Sequence, residues 1–548
     1  MFIDDQTYKR GGKTYRRVLM RNSFRSGGRV CHETVANLSK CTTAEIEAIK
    51  LALKHKGRLE ILDAIPDGTK TKQGLSVGAL FLLHQLAKRL GVVRALGNSR
   101  EAKLVLWLVY AAAMQQGSRL SATRLAQSHA VCDLLNLDSF NEDHLYGAMD
   151  WLEERQARIE SRLFEHRHGE EPPRLYLYDV TSSYFEGCMN ELAAFGYNRD
   201  GKKGKMQIVI GLLTDEQGRP VSVEVFPGNT SDLSTFSCQV EKVRERFGGR
   251  DVVFVGDRGM IRGPQIATLP EGCQYITAIS KREIETLLKD GVLQMELFDE
   301  TVCETLVDGV RYVLRRNPIR AEELAHTRAS KRSRVQALVE EKNRYLQEHP
   351  RAQVSTAEND LQALARKLKI HKWTAITHQG RQVSLVLDED LLAQTAKLDG
   401  CYVIKTDLSA KQADAETVHG RYKSLSEVEW AFRTMKTVLL EMRGIFVRKA
   451  ERTRAHVFII MLAYMLAYEL RRLWRDVEMT VEEGLADLAT LCSTEVLIGN
   501  ISVQTIPEPR ASARELLEKA NVTLPETIPS RGAHVVTRKK LVSERRSP

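Results

Sequence analysis

Apolar and polar residues alternate in some parts of the chain and recur at helical spacing in others. Residues 1–40 contain two alternating runs separated by Ser-Gly-Gly, which predict a small β-hairpin. From residue 43 to about 165 the apolar spacing becomes helical. Strand-like runs follow at 174–180, 206–214, 220–226, 252–256 and 274–280. A helical stretch at 232–247 separates the third run from the fourth, and this order predicts an α/β sheet.

Residues 285–405 interrupt the α/β pattern with strand-like pieces and with charged helices near 320–348 and 357–369. We interpret this interruption as a strand-rich insertion domain. The chain is strongly helical again over 420–475. We therefore predict, in order, a basic hairpin unit, a helical domain, an α/β core split by the insertion domain, and a carboxy-terminal helical segment with a basic tail. The predicted boundaries are 1–42, 43–168, 169–284, 285–405, 406–478 and 479–548.

The composition is that of a folded, water-soluble protein. Hydrophobic residues make up 43% and charged residues 28% of the 548 residues, enough to bury a large core. The nine cysteines show no Cys-x-x-Cys spacing, which argues against a disulfide framework and a structural zinc. No secretory signal is visible, and the most apolar segment, 457–468, is too short to cross a bilayer. We expect a cytoplasmic protein without a membrane partner.

The net charge of +10 is concentrated towards the two ends of the chain. Residues 1–75 carry 15 basic and 8 acidic residues, and residues 529–548 carry 6 basic and 1 acidic. Either end could bind a polyanion, since neutralising phosphates releases counterions. A solvated surface and a frayed tail explain the same charges equally well.

Two aspartates follow apolar runs that are typical of buried strands. The run 175–178 leads into Asp179, and the run 252–256 delivers Asp257 between two glycines. A carboxylate at the end of a central strand points into the crevice where α/β sheets bind ligands. A single such aspartate is more often a turn former or a helix cap. Two of them make a ligand site the better interpretation.

A helical segment near residue 430 carries a third acidic candidate. Tyr422, Glu429 and Lys436 are seven residues apart, so on one helix each returns to within about 20° of the same face. Glu427 lies about 200° around that helix from Glu429, so both cannot enter one site. Glu429 is therefore the candidate, although a solvated stripe has the same spacing.

These residues resemble the DDE transposases of bacterial insertion sequences, and more narrowly the family-four group with its Tyr-(2)-Arg-(3)-Glu-(6)-Lys signature. The segments 205–215 and 225–232 are also similar to those between the two aspartates of that group. The resemblance implies an RNase H-like catalytic core that is interrupted by an insertion domain. It departs at the signature arginine, where this chain has Leu425, so that role is vacant or has moved to Arg433.

The resemblance also implies a metal-dependent reaction on DNA phosphates. Two Mg²⁺ ions about 3.5–4 Å apart stabilise the attacking and leaving oxygens in such reactions, and Mn²⁺ can substitute. Small, hard cations prefer carboxylate oxygens, so Asp179, Asp257 and Glu429 are the expected ligands. Tyr422 and Lys436 would hold phosphates beside the scissile bond. Lys205, in a basic loop, is a weaker candidate for a phosphate contact.

Together these features predict a transposase that cuts DNA at the terminal inverted repeats of its element and joins the 3′-hydroxyl ends to target DNA. Family layout implies a homodimer on DNA, with the amino-terminal hairpin and the helices after it reading the repeats. Two alternatives stay open: an RNase H-like nuclease without strand transfer, and a catalytically silent DNA-binding protein derived from a transposase. The three carboxylates argue against silence, whereas Leu425 leaves it open.

Overall fold

The computed structural model describes residues 1–56, 70–169, 171–187, 189–436, 440, 442, 445–498, 501–529, 532–533 and 535–537. The chain is 46% helix and 24% strand, so the predicted mixed α/β class is confirmed. It divides into two compact units. The first is built from 1–81, 126–138 and 484–534, and the second contains 82–125 and 139–483. Most of the predicted basic tail lies outside the described residues.

The strands are β1 Phe2–Arg10, β2 Lys13–Ser26, β3 Arg29–Asn37, β4 Lys70–Ser76, β5 Leu175–Tyr184, β6 Gln207–Asp215, β7 Pro220–Pro227, β8 Val252–Gly256, β9 Cys273–Ala278, β10 Cys303–Val307, β11 Val310–Arg316, β12 Thr374–Gln379, β13 Gln382–Leu387, β14 Cys401–Thr406, β15 Cys492–Ile498 and β16 Ile501–Thr505. The α-helices are α1 Thr43–Lys54, α2 Gly78–Arg89, α3 Val92–Leu96, α4 Arg100–Met114, α5 Arg119–Ser128, α6 Val131–Leu135, α7 Glu142–Glu153, α8 Gln156–His168, α9 Asp232–Arg246, α10 Gly263–Ala267, α11 Lys281–Lys289, α12 Pro318–Glu348, α13 Val354–Lys367, α14 Glu389–Ala396, α15 Ala415–Lys423, α16 Leu425–Lys436, α17 Ala450–Leu473, α18 Val481–Ala489 and α19 Ala511–Lys519.

The amino-terminal hairpin is part of a three-stranded antiparallel sheet, β1-β2-β3. Gly11 and Gly12 join the first two strands with positive φ at both positions, the geometry of a two-residue type I′ turn. Helix α1 begins with a capping box in which the Thr42 side chain and the Glu45 side chain each accept a backbone N–H of the other residue. The predicted hairpin is thus present and gains a third strand.

A second small sheet, in the order β16-β15-β4, also belongs to the first unit. It adds strand β4 to the segment 43–168 and strands β15 and β16 to the segment 479–548, for which only helices are predicted. Strand β4 reads Lys-Thr-Lys-Gln-Gly-Leu-Ser and has little apolar alternation of its own. Its pairing partner β15 lies more than 400 residues away in sequence, so no local pattern announced the sheet.

An eight-stranded sheet forms the centre of the second unit, in the order β10-β11-β14-β9-β8-β5-β6-β7. β5, β6 and β7 form an antiparallel meander, whereas β8 lies parallel to β5 and β9 lies parallel to β8. All residues of β6 and β8 are buried, as expected for strands with both faces covered. The five strands predicted between 174 and 280 are confirmed.

Helix α17 is the apolar core helix of the second unit. It is long and apolar enough to span a membrane, but 78% of its most apolar window is buried inside the fold. It packs against α4 and α7, and Arg452 forms ion pairs of 2.7 Å with both carboxylate oxygens of Asp150. Burial, followed by Arg119, lowers the pKa of His456 to about 3, so this histidine is neutral and packed. The apolar segment 457–468 thus lies in a buried helix.

The insertion is smaller and more helical than predicted. β10, β11 and β14 pair into the main sheet and do not form a separate domain. The rest, 318–396, contains three helices and only one two-stranded hairpin, β12-β13. Val335, Leu361 and Trp373 belong to a core of their own in this segment. The strand-like piece at 310–315 misled the prediction, because it belongs to β11, whose partners lie in the main sheet.

Candidate active site

Strand register brings the two candidate aspartates to the same place. β5 and β8 are parallel, and their last aligned pair is Tyr178 with Gly256. Asp179 and Asp257 directly follow this pair along the polypeptide. Because adjacent strands lie about 4.8 Å apart, the two aspartates are close together. Asp257 leaves the sheet here, as predicted. Asp179 does not lie at a strand end, because β5 continues to Tyr184 by pairing with β6.

Helix α16 packs against β5 and supplies the third carboxylate. Glu429 borders a cavity of about 350 Å³ together with Asp179 and Asp257. The other lining residues are Val180, Thr181, Arg199, Asp232, Met260, Phe432, Arg433 and Lys436. The three acidic residues proposed from sequence therefore share one cavity.

Glu427 points to a different part of the second unit. A Cβ added to Gly218, in the turn between β6 and β7, would lie 2.5 Å from the Cβ of Glu427. Its charge contributes to raising the pKa of Tyr468, on α17, after burial and Asp215. The two glutamates of α16 thus have different surroundings, as helical geometry requires.

The electrostatics of the cavity favour a bound cation. Burial raises the pKa of Asp179 to about 7, and the nearby carboxylates of Asp257 and Glu429 contribute in the same direction. The backbone N–H of Val180 opposes this by donating to Oδ1 of Asp179 at 2.8 Å. Like charges that are held close together in a partly buried site destabilise the ionised form. A cation bound among them would remove that cost.

The donor set fits magnesium in its chemistry. Asp179, Asp257 and Glu429 offer hard carboxylate oxygens, and Mg²⁺ takes only one or two of these together with water and phosphate oxygens. Within the part of the chain that the structure describes, no three Asp, Glu, His or Cys side chains are clustered tightly enough to hold a metal by themselves. Substrate phosphate oxygens would therefore have to complete the coordination.

Tyr422 lies on α15, which ends at Lys423 before α16 begins at Leu425. The single continuous helix assumed for Tyr422, Glu429 and Lys436 is therefore wrong. Tyr422 is nevertheless close enough to the cavity to be influenced by its carboxylates. Burial raises the pKa of Tyr422 to about 12, and the charges of Asp257 and Glu429 add to that rise. Tyr422 is neutral and can donate its hydroxyl hydrogen.

The basic candidates occupy three different settings. Lys436 is buried and its Nζ donates to Oδ1 of Asp200 at 2.9 Å. Arg433 is exposed at the rim of the cavity. Lys205 does not line the cavity, and its Nζ donates to Glu186 at 2.7 Å. The structure thus brings Lys436 and Arg433 to the carboxylates, but not Lys205.

An arginine that the sequence analysis missed also borders the cavity. Arg199 donates to Oδ2 of Asp232 at 2.5 Å, and its backbone N–H donates to Ser182 Oγ at 3.0 Å. Arg199 lies in the long loop between β5 and β6, and its charge lowers the pKa of Asp179. Asp232 is the first residue of α9. Only the fold brings these two residues together.

Replacing Asp179 by asparagine should stabilise the metal-free protein. Because the folded state raises the pKa of Asp179, it binds a proton more tightly than the unfolded state, so stability falls as pH rises from about 4 to 7. At pH 8, Asp179→Asn should raise the free energy of unfolding by on the order of 1–2 kcal/mol, since one pKa unit corresponds to about 1.4 kcal/mol and the side chain is partly exposed.

Urea unfolding in EDTA at pH 4 and pH 8 measures this effect. The gain should become small at pH 4, where Asp179 is protonated in the folded state and about half protonated in the unfolded state. Asp251→Asn, at the exposed start of β8, is the matched control and should change stability at neither pH. A destabilised Asp179→Asn protein at pH 8 would contradict the electrostatic account.

Two family models match parts of the chain. A family model of the transposase DDE domain matches residues 171–466, which is more than half of the chain. A model of the amino-terminal domain of IS1634 family transposases matches residues 5–62. No curated protein matches the chain.

One solved structure that is similar in part is the piggyBac transposase in a synaptic complex with hairpin DNA, determined by cryo-EM. It is 10% identical with a TM-score of 0.36, over 72% of this chain and 70% of that chain. A similarity of this degree supports no conclusion about the present chain. The two family matches, and the first above all, identify it. The chain belongs to the DDE transposases of bacterial insertion sequences.

Proposed function

We propose that this transposase cleaves DNA at the terminal inverted repeats of its insertion sequence and joins the 3′-hydroxyl ends to target DNA by two-metal phosphoryl transfer. The observation that carries the proposal is the shared cavity of Asp179, Asp257 and Glu429. Parallel pairing of β5 with β8 holds Asp179 and Asp257 close together, and packing of α16 against β5 brings Glu429 to the same cavity.

The catalytic core is, in our proposal, RNase H-like. The sheet contains the partial order β7-β6-β5-β8-β9, in which an antiparallel meander is followed by two strands parallel to β5. A first carboxylate on the central strand and a second at the end of its parallel neighbour suit this topology. The remaining strands, β14, β11 and β10, extend the same sheet.

Each side chain has a distinct task in the proposed reaction. Asp179, Asp257 and Glu429 would hold two Mg²⁺ ions, for which Mn²⁺ can substitute, and these ions supply charge stabilisation at the attacking and leaving oxygens. Arg199, Arg433 and Lys436 place positive charge around the same cavity, where negative charge accumulates on the phosphate. Asp200 holds the Lys436 ammonium in place.

We also propose that two copies act together, one at each end of the element, in the bacterial cytoplasm where the DNA lies. The alternatives are a nuclease of the same fold that only hydrolyses, and a DNA-binding protein without activity. Arg199, Arg433 and Lys436 line the same cavity as the three carboxylates, and this combination favours an active enzyme over a catalytically silent DNA-binding protein. Strand transfer distinguishes the transposase from the nuclease.

A joining assay tests the proposal. A labelled duplex that already ends in the element's 3′-hydroxyl terminus is incubated with the full-length protein, Mg²⁺ and a supercoiled plasmid. We expect label to be joined covalently to the plasmid, and a duplex with a 3′-dideoxy terminus should give no product. Nicked plasmid without joined label would indicate the nuclease, and intact plasmid with DNA binding would indicate the silent protein.

A further inference from the structure

The outer half of the β1-β2 ribbon has one exposed face with an unusual set of side chains. Antiparallel register places Gln6 opposite Arg17, Tyr8 opposite Tyr15 and Arg10 opposite Lys13. Directly opposite residues point to the same side of a sheet, so all six side chains share one face. All six are exposed. We call this set the ribbon face.

The opposite side of the ribbon is the side on which α1 packs. Arg16, next to Arg17, donates to Thr43 at the start of α1 and to Asp5 of β1. Because neighbouring residues of a strand point to opposite sides, these contacts lie behind the ribbon face. The outer half of the ribbon is thus supported from one side and open on the other, whereas nearer its base Leu19, on the same side as Arg17, is buried.

Charge also differs between the two sides of these strands. On the side of the ribbon face, β1 and β2 carry five basic residues and one acidic residue, namely Arg10, Lys13, Arg17, Arg21, Arg25 and Asp4, of which Arg21 and Asp4 form an ion pair of 3.2 Å. On the helix side, the same strands carry two basic residues, Lys9 and Arg16, and Asp5. A concentrated positive face of this kind attracts a polyanion.

The polar groups of the ribbon face are those that recognise base edges. Arg17 donates to the side-chain oxygen of Gln6 at 3.2 Å, which aligns an arginine and an amide side by side. Arginine pairs with guanine and glutamine with adenine in the major groove. Tyr8 and Tyr15 stack with ring centroids 5.8 Å apart while remaining 49% and 46% exposed. This pair stiffens the tip and leaves both hydroxyls available.

We propose that the ribbon face enters the major groove of the duplex at the end of the element. A groove about 12 Å wide admits a two-stranded ribbon, and the two-glycine turn keeps the tip narrow. Arg10 and Lys13 at the tip contact phosphates, and Gln6 and Arg17 face base edges. This inference rests on the proposed function, because that function supplies the duplex end as the partner.

Binding of a labelled duplex taken from the DNA that flanks the gene tests this inference. Fluorescence anisotropy is measured with the full-length protein in EDTA over a range of salt concentrations, so no cleavage is required. Lys13→Gln/Arg17→Gln should weaken binding at least ~10-fold and lower the slope of log K against log salt by about 0.9 for each lost phosphate contact. Arg29 of β3 lies opposite Ser26 of β2, on the same side as Arg16. Lys9→Gln/Arg29→Gln therefore removes equal charge from the helix side and is the matched control.

The control should bind within about threefold of wild type, since the contact is on the other side. Equal losses in both variants, or unchanged binding in both, would overturn the assignment of the ribbon face. Thermal unfolding shows whether each variant is folded. If Lys13→Gln/Arg17→Gln is unfolded, Arg17→Lys serves instead: it keeps the charge, so it should retain affinity for scrambled duplex and lose preference for the flanking sequence.

The outcome is independent of catalysis. Failure of the ribbon variants to weaken binding in EDTA refutes the ribbon face even if wild-type protein joins DNA in Mg²⁺. Conversely, a protein that binds through the ribbon face but joins no DNA would refute the proposed strand transfer and leave this inference intact.

Discussion

Asp179→Asn is expected to abolish DNA cleavage and joining while leaving DNA binding in EDTA unchanged. Asp179 is more buried than Asp257 and Glu429, and burial and these acidic neighbours raise its pKa to about 7. Charge stabilisation at a phosphate transition state contributes several kcal/mol, and each ~1.4 kcal/mol changes the rate tenfold. We therefore expect the single-turnover rate to fall by roughly 10³-fold or more.

Asp251→Asn is the matched control for this experiment. Asp251 immediately precedes β8, whereas the cavity lies at the other end of that strand beside Asp257. The control should retain the wild-type rate within about threefold, as expected for an exposed position away from the site. Full activity of Asp179→Asn would show that the shared cavity is not the catalytic centre.

Glu429→Gln is expected to reduce cleavage by roughly 10²-fold or more, whereas Glu427→Gln should keep most of the activity. The two residues lie two positions apart on α16, so any general effect on the helix should be similar in both variants. Only Glu429 borders the cavity of the aspartates, because Glu427 faces the β6-β7 turn at Gly218.

Single-turnover cleavage of a labelled duplex containing the element's end measures both variants under the same conditions. The unfolding temperatures of both variants are recorded in parallel to show whether each is folded. If Glu427→Gln lost activity while Glu429→Gln stayed active, and both variants were folded, the assignment of Glu429 as the third carboxylate would be wrong.

The sequence predicted the central sheet well, because its strands are continuous apolar runs bounded by polar residues. It misplaced Asp179 relative to the end of β5, since residues 181–184 are hydroxyl-bearing or aromatic and resemble a loop. Residues 181–184 nevertheless pair with the fully buried strand β6 and so belong to β5. The aspartates still meet, because parallel register depends on the sheet and not on where β5 ends.

Helical spacing identified Glu429 but gave too simple a picture of its helix. The helix is interrupted at Ser424, between α15 and α16, so Tyr422 lies on a separate helix, close enough to Asp257 and Glu429 to be influenced by their charges. Seven-residue spacing is insensitive to such a short interruption. The same spacing could not reveal Arg199, whose partner Asp232 is 33 residues away and meets it only in the fold.

The sheet β16-β15-β4 went unpredicted, and the content of the insertion was predicted wrongly, for a related reason. β4 pairs with β15 over a separation of hundreds of residues, and β10, β11 and β14 complete a sheet that begins before residue 180. Local periodicity identifies a strand but not its partner. Predictions of domain content that rested on neighbouring elements therefore went wrong where strands pair at long range.

Metal rescue at the scissile phosphate is the measurement that tests the central claim most directly. One non-bridging oxygen of that phosphate is replaced by sulfur, and single-turnover cleavage of the element's end is compared in Mg²⁺ and in Mn²⁺. Since sulfur is a softer ligand that Mg²⁺ accepts poorly, the substitution should slow cleavage in Mg²⁺ and much of the rate should return in Mn²⁺. An equal rate for both phosphates in both metals would contradict a carboxylate-held metal centre acting on the DNA phosphate.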